Sequence, residues 1–224
     1  MDLRNTIPSL HVEGTDDQHS IIHLLQRNGI SFNPPPVDIR VENSDRELLE
    51  AIPVAIKAAK NRSIGFVIDI DTTPASRWEA IRARVNSIAD EFNFRRLKSS
   101  FPASPSQNGT VISIPEISSK VGFWLMPDNR LDGGKLEDFL DTLIMPGDTL
   151  RFLAETTAGQ SRLYGAVFAP QDQIKATLHT WLAWQKEPGR PCGTAIKANY
   201  FKSNSTAALK FVSWFRTLFV HPVG

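Results

Sequence analysis

The chain has 224 residues, of which 41% are hydrophobic and 22% charged, and its formal net charge is +1. That length and balance suit one domain that buries its own core, and they exclude a disordered chain, a collagen-like chain and a disulfide scaffold. One cysteine, Cys192, allows no internal disulfide, and with only five histidines it argues against structural zinc. A reducing compartment follows. No apolar run reaches the ~18 residues of a membrane helix and the N-terminal stretch has no apolar signal core, so the expectation is a cytoplasmic protein without a membrane partner.

Leu10 to Val12 is a short apolar stretch that ends at Glu13-Gly14. Thr15 stands three residues before Gln18, a capping-box spacing, and Ile21, Ile22, Leu24 and Leu25 follow before Asn28-Gly29. This pattern predicts strand, tight turn, helix. Pro34-Pro35-Pro36 predicts an extended linker, and Val37 to Val41 alternates as a strand does. Ser44 or Asp45 caps a helix through Leu48, Leu49, Ile52, Ile56 and Ala59, with Pro53 expected to kink or delay it.

Ile64 to Ile68 is continuously apolar, which predicts a strand buried on both faces, and it ends in Asp69-Ile70-Asp71. Thr73 and Pro74 read as N-cap and first helical residue of a helix whose stripe is Trp78, Ile81, Val85, Ile88 and Phe92. Residues 99–109 form a loop rich in Ser, Pro, Asn and Gly. Val111–Ile114 and Val121–Met126 are further apolar runs, the second closing at Pro127-Asp128-Asn129. Gly133-Gly134 precedes a helix carrying Leu136, Phe139, Leu140, Leu143 and Ile144. Helical patterns return at Asp172–Gln185, where Ile174, Leu178, Trp181 and Leu182 face inward, and at Ser205–Phe219. Strands alternating with helices imply an α/β fold with a mostly parallel sheet over residues 1–170, and a helical C-terminal extension over 171–224 packed on the same domain. Trp181, Trp184 and Trp214 are read as core aromatics of that helical part.

Acids recur where apolar runs end. Glu13, Asp69, Asp71 and Asp128 would share one rim if those runs are neighbouring parallel strands, because ligands of open parallel sheets sit outside the carboxyl ends. Asp17 lies one helical turn beyond Glu13. Carboxylates gathered on a rim repel unless a cation neutralises them, and oxygen donors select magnesium or manganese. Taken singly, each such acid also fits a helix cap or a turn.

The order Val12-Glu13-Gly14, buried strand, Asp69-x-Asp71 resembles the Toprim fold, shared by topoisomerases, primases, recombination mediators and OLD-type nucleases. Asp17, four residues after Glu13, is most similar to the OLD-type branch. The stretches VEGTDDQH, IDIDTTPASRW, GFWLMPDNRLDGGKLEDFL and KATLHTWLAWQ also resemble a Toprim-related family of unknown function of about this length, so the likeness spans residues 10–185. The resemblance implies a Rossmann-like sheet flanked by helices and magnesium or manganese held by Glu13, Asp17, Asp69 and Asp71. It implies a second metal position at Glu137, which Asp128 would join, and a phosphate-neutralising Lys175. Glu13 would also act as acid/base, with Asp69 and Asp71 counted among the catalytic groups. The implied activity is phosphodiester hydrolysis of DNA or RNA, and the implied partner is a separate ATPase subunit, since the chain has no room for an ATPase segment.

Charge distribution agrees with a nucleic-acid partner. Residues 77–98 carry six basic against three acidic side chains and residues 171–221 seven against two, whereas residues 123–155 carry three against seven. Two other readings use the same residues. Asp69-Ile70-Asp71-Thr72-Thr73 fits the D-x-D-x-T motif of haloacid-dehalogenase-like phosphatases, with Asp69 as nucleophile and Asp71 as acid/base. Against it, a strand and Glu13-Gly14 come first, and Gly147-Asp148 lacks an acid four residues on. Alternatively the chain is a non-catalytic or partner-gated interaction protein that docks through its Trp-rich helices. His19 and His23, spaced i,i+4, have no clear third metal ligand; His179 is a candidate phosphate contact.

Overall fold

The computed structural model describes residues 7–70, 74–130 and 133–220. Five strands form one sheet: β1 (Ser9–Val12), β2 (Asp38–Val41), β3 (Ile64–Ile68), β4 (Thr110–Ile114) and β5 (Ser119–Leu125), in the order β2-β1-β3-β5-β4. The β2, β1, β3 and β5 strands are parallel, and β4 closes one edge antiparallel to β5. The fold is therefore the expected α/β layer with a mostly parallel sheet. A turn at Pro115–Ile117, with Ser118 at φ 49°, joins β4 to β5. So short a link makes a hairpin and cannot make the longer crossover a parallel pair needs.

The helices are α1 (Thr15–Arg27), α2 (Asp45–Lys57), α3 (Pro74–Glu91), α4 (Arg95–Ser100), α5 (Leu136–Asp141), α6 (Thr149–Ser161), α7 (Gln173–Ala183), α8 (Cys192–Lys197) and α9 (Thr206–Phe215), the last continued by a π-helical turn over Arg216–Val220. One apolar cluster joins α1 and α5 to α9 on one face of the sheet, and a second joins α2, α3 and α4 on the other. Both faces are thus covered, which is why every residue of β1 and β3 is buried. The C-terminal helices are part of the first cluster: α8 lies against α1, and Trp214 of α9 lies 5.7 Å from Trp124 of β5.

Local details differ from expectation for identifiable reasons. Gly14, rather than Thr15, is the N-cap of α1, and Gln18 spends its amide on the Ile39 carbonyl of β2 at 2.7 Å. Ser44 caps α2 as expected, and the helix runs through Pro53 to Lys57. The Thr73 cap lies outside the described residues. Phe92 follows α3 and is 38% exposed, under the Lys57 ammonium at 4.9 Å. The α5 helix stops at Asp141, although Leu143 and Ile144 beyond it are buried as expected. Periodicity does not reveal α6, because the residues it buries are Ala154 and Ala158 while Phe152 and Leu153 face solvent. The α4 and α8 helices have six residues each, too few to show a period.

Gly65 and Gly122 are register partners on β3 and β5. A β-carbon at Gly122 would stand 2.4 Å from Leu218 Cδ2, and one at Gly65 would stand 2.7 Å from Leu10 Cδ1 and 2.9 Å from Phe219 Cζ. The glycine pair is therefore a slot in the sheet that seats the terminal π-helical turn. Gly122→Ala is expected to cost about 1–3 kcal/mol by overpacking. Denaturant unfolding should show that Gly122→Ala combined with Leu218→Ala costs less than the sum of the two single losses, because Leu218 is the side chain the new methyl meets.

On the opposite face His11 of β1 is buried, stacked on Phe66 with ring centroids 5.0 Å apart. Its Nδ1 donates to Glu42 Oε1 at 2.6 Å and its Nε2 meets Ser9 Oγ at 3.0 Å. The hydrogen bond from His11 holds the Glu42 carboxyl below its ordinary range, against the opposing effect of burial. A depressed carboxyl stabilises the fold above its unfolded pKa, and that stabilisation is lost as pH falls through the lower folded value. Glu42→Gln is accordingly expected to destabilise by about 1–3 kcal/mol at pH 7. The difference from wild type should close on acidification below the ordinary carboxyl range; a constant difference down to pH 3 would contradict a stabilising ionised Glu42.

Candidate functional site

Sheet order decides where a site can form. From β1 the chain proceeds to β2 on one side and then returns to β3 on the other, so β1 and β3 flank a topological switch point. Glu13 follows β1 and Asp69 follows β3, and because those strands are parallel neighbours both residues stand at the same edge. A cavity of about 330 Å³ opens there, and Glu13, Asp17, Asp69, Glu137 and Lys175 all line it. Five of the seven residues singled out from sequence thus meet in one place. Asp71 lies outside the described residues. Asp128 does not line the cavity: it sits in the turn after β5, where its carboxylate pairs with Arg130 Nε at 2.8 Å and accepts the Arg130 N–H at 3.3 Å.

Each functional side chain is brought in by a specific local device. Gly14 starts α1, its N–H donates to Asp17 Oδ2 at 3.1 Å, and a β-carbon there would press within 3.3 Å of the same oxygen. Glycine after Glu13 therefore lets α1 begin with the Asp17 carboxylate folded back toward the cavity. Asp17 is only 8% exposed. Burial pushes its carboxyl up to about 7, with the negative charges of Glu13 and Glu137 adding to the effect and the Gly14 hydrogen bond opposing it.

Glu137 arrives from a distant part of the chain. Ile70 and Gly134 form an isolated antiparallel bridge, with Ile70 N donating to Gly134 O at 2.8 Å and Gly134 N to Ile70 O at 2.6 Å. This bridge ties the loop before α5 to the end of β3. Asp138 then receives the Lys135 N–H at 2.8 Å, and Leu136, Phe139 and Leu140 anchor α5 in the core. Glu137 is left in the first turn with its side chain 14% exposed and 3.2 Å from Lys175 Nζ. Lys175 stands in the first turn of α7, which Leu178, Trp181 and Leu182 hold in the core. The ammonium is kept charged chiefly by Glu137, with Asp16 and Asp172 contributing.

Sequence reasoning passed over Asp16, Lys135 and Asp172, which also line the cavity; Lys135 Nζ faces Asp172 at 3.9 Å. The signal available for Lys135 was its place in Gly-Gly-Lys two residues before Glu137. Cys192 is buried, and burial pushes its thiol up to about 12, with Asp16 and Glu137 adding to the effect. His19 is exposed, His23 pairs with Gln26 at 3.0 Å, and His179 is exposed; none of them lines the cavity.

Among the described residues no three His, Cys, Asp or Glu side chains converge as a metal cage. The donor set nonetheless suits a hard divalent ion in chemistry. Glu13, Asp17, Asp69 and Glu137 are all-oxygen donors on one cavity, and a carboxyl raised to about 7 by burial and like charge gains most from a cation.

Fold and cavity together define an α/β domain of the switch-point class, with carboxylates at the end of two neighbouring parallel strands. The chain belongs to the family described as "protein of unknown function (DUF3226)", whose family model matches residues 8–220. No curated protein and no solved structure matches it. Among the described residues no helix is long and apolar enough to cross a membrane.

Proposed function

We propose that this chain is a divalent-metal-dependent phosphodiesterase of Toprim-like type, close to the OLD-type nucleases, acting on DNA or RNA in the cytoplasm. One observation carries the reading: Glu13 and Asp69, far apart in sequence, end adjacent parallel strands and line one cavity with Asp17, Glu137 and Lys175. Glu13, Asp17 and Asp69 would hold magnesium or manganese, with Asp71 included by resemblance and Glu137 available to a second ion. Such an ion, when bound, polarises a phosphoryl oxygen and lowers the pKa of a water.

The remaining work falls to the chain's own groups. A Glu13 carboxylate oxygen would take the proton of the attacking water as its oxygen bonds to phosphorus, and would return that proton to the oxygen that departs when the other P–O bond breaks. Lys175, which is held charged, and Lys135 offset the charge that develops on the phosphoryl oxygens. Asp128, held by Arg130 outside the cavity, has no assigned part. The phosphatase alternative would use Asp69 of the same cavity as nucleophile; Asp148, the acid it would need elsewhere, caps α6 by accepting the Arg151 N–H at 2.8 Å.

The test is cleavage of supercoiled plasmid, single-stranded DNA and total RNA by the purified protein with magnesium or manganese. Glu13→Ala and Asp69→Ala serve as controls. Metal-dependent cleavage lost in both variants supports the reading, and cleavage retained in both rejects it.

A second reading, a partner-gated effector, has its own observation. Trp181 and Trp214 are buried, so they are core residues, and Trp184 is 40% exposed. The larger apolar surface lies instead on α6 and the turn after it, where Phe152, Leu153, Leu163, Tyr164 and Val167 are all exposed. That segment leads into Gln171–Lys175 at the cavity wall. A separate ATPase subunit docking there would sit beside the active site. Measurable metal binding without cleavage by the isolated chain would favour this reading.

A further inference from the structure

The acidic cavity already contains a cation of its own. Lys175 Nζ lies 3.2 Å from Glu137 Oε1, so the contact spans the cavity from α7 to α5. Both backbones are held by buried apolar neighbours, Leu136 and Phe139 on one side and Leu178 and Trp181 on the other. The lysine side chain itself is about half exposed, at 55%, whereas that of Glu137 is 14% exposed. A flexible four-carbon stem can therefore withdraw its ammonium into water without repacking the core, while the carboxylate stays where it is.

We propose that Lys175 is a resident counter-ion that competes with a divalent metal for Glu137 and thereby sets how readily the second metal position fills. This proposal rests on the metal-binding reading of the cavity. Filling of the Glu137 position would release the ammonium to the solvent-exposed mouth of the cavity, where it is free to meet a phosphoryl oxygen of an entering substrate. In the empty cavity the ammonium offsets part of the carboxylates' mutual repulsion, most directly that of Glu137.

Manganese binding to the full chain at pH 8, followed by titration calorimetry and by the electron paramagnetic resonance signal of free manganese, tests this without reference to activity. Lys175→Gln is expected to tighten binding about 3–5-fold, as removal of a competing 3.2 Å, half-exposed ion pair should. Lys135→Gln deletes the same charge from the same cavity at a position facing Asp172, and is expected to change affinity less than about twofold if contact rather than distant charge matters. In a Glu137→Gln background the Lys175→Gln effect should vanish, giving a double-mutant coupling as large as the single effect. Equal gains from Lys135→Gln, or a Lys175→Gln gain that survives Glu137→Gln, would overturn the proposal while leaving the metal-binding reading intact. Absence of manganese binding by every form, wild type included, would overturn both.

Discussion

Asp17→Asn is expected to stabilise the protein by a few kcal/mol above pH 7 and to leave it unchanged near pH 3. The Asp17 carboxyl goes from an ordinary value of 3.8 to about 7 on folding. Folding therefore binds a proton more tightly than the unfolded chain does. Below 3.8 both states are protonated and the residue is neutral in effect. Between 3.8 and about 7 the unfolded state ionises first, so stability falls as pH rises. Above 7 the full cost is present, at roughly 4 kcal/mol for three units of displacement as an upper figure. Asparagine carries no charge, and its Oδ1 still accepts the Gly14 N–H, so the helix start survives. Thermal unfolding from pH 3 to pH 8.5 should show the wild type and the variant coincide in acid and separate by several degrees in alkali. Curves that stay parallel would show that Asp17 is not a strained buried acid. Added magnesium or manganese should narrow the gap at high pH, because a bound cation relieves the same charge, and the metal affinity of wild type should fall as pH drops through about 7.

The second large effect concerns catalysis. Glu13→Gln and Asp69→Asn are each expected to lower metal-dependent cleavage by about 10²–10⁴-fold, the range of a lost general base, with loss of cation charge neutralisation adding to it. Neither change should unfold the protein. Both residues end strands at the cavity edge rather than within the core clusters, and each replacement removes a negative charge from a crowded rim. The pairing of lost cleavage with unchanged or raised melting temperature is the diagnostic result. Falling activity together with falling stability would point to a structural role, and unchanged activity would place the chemistry elsewhere.

Much of this site was legible in sequence because it is built from short-range patterns. Leu10–Val12 and Ile64–Ile68 read as strands through unbroken apolar character, and both are strands buried along their whole length. The acids that follow them stand at strand ends whatever the sheet order. Apolar stripes at helical spacing marked α1, α2 and α3 for the same reason. Where the stripe was absent the helix was illegible, as in α6, which presents alanines to the core and Phe152 to solvent.

Sequence alone therefore determined the α/β class, the strand ends and the candidate carboxylates, since these depend on residues a few positions apart. Tertiary structure decided which strand ends are neighbours, that Glu13 and Asp69 flank the switch point, and that Asp128 turns away to Arg130. It also decided that the Ile70–Gly134 bridge carries Glu137 to the cavity, where Lys175 from a third element meets it. Those outcomes depend on contacts between residues tens of positions apart, which strand pairing and core packing select together and no local period encodes.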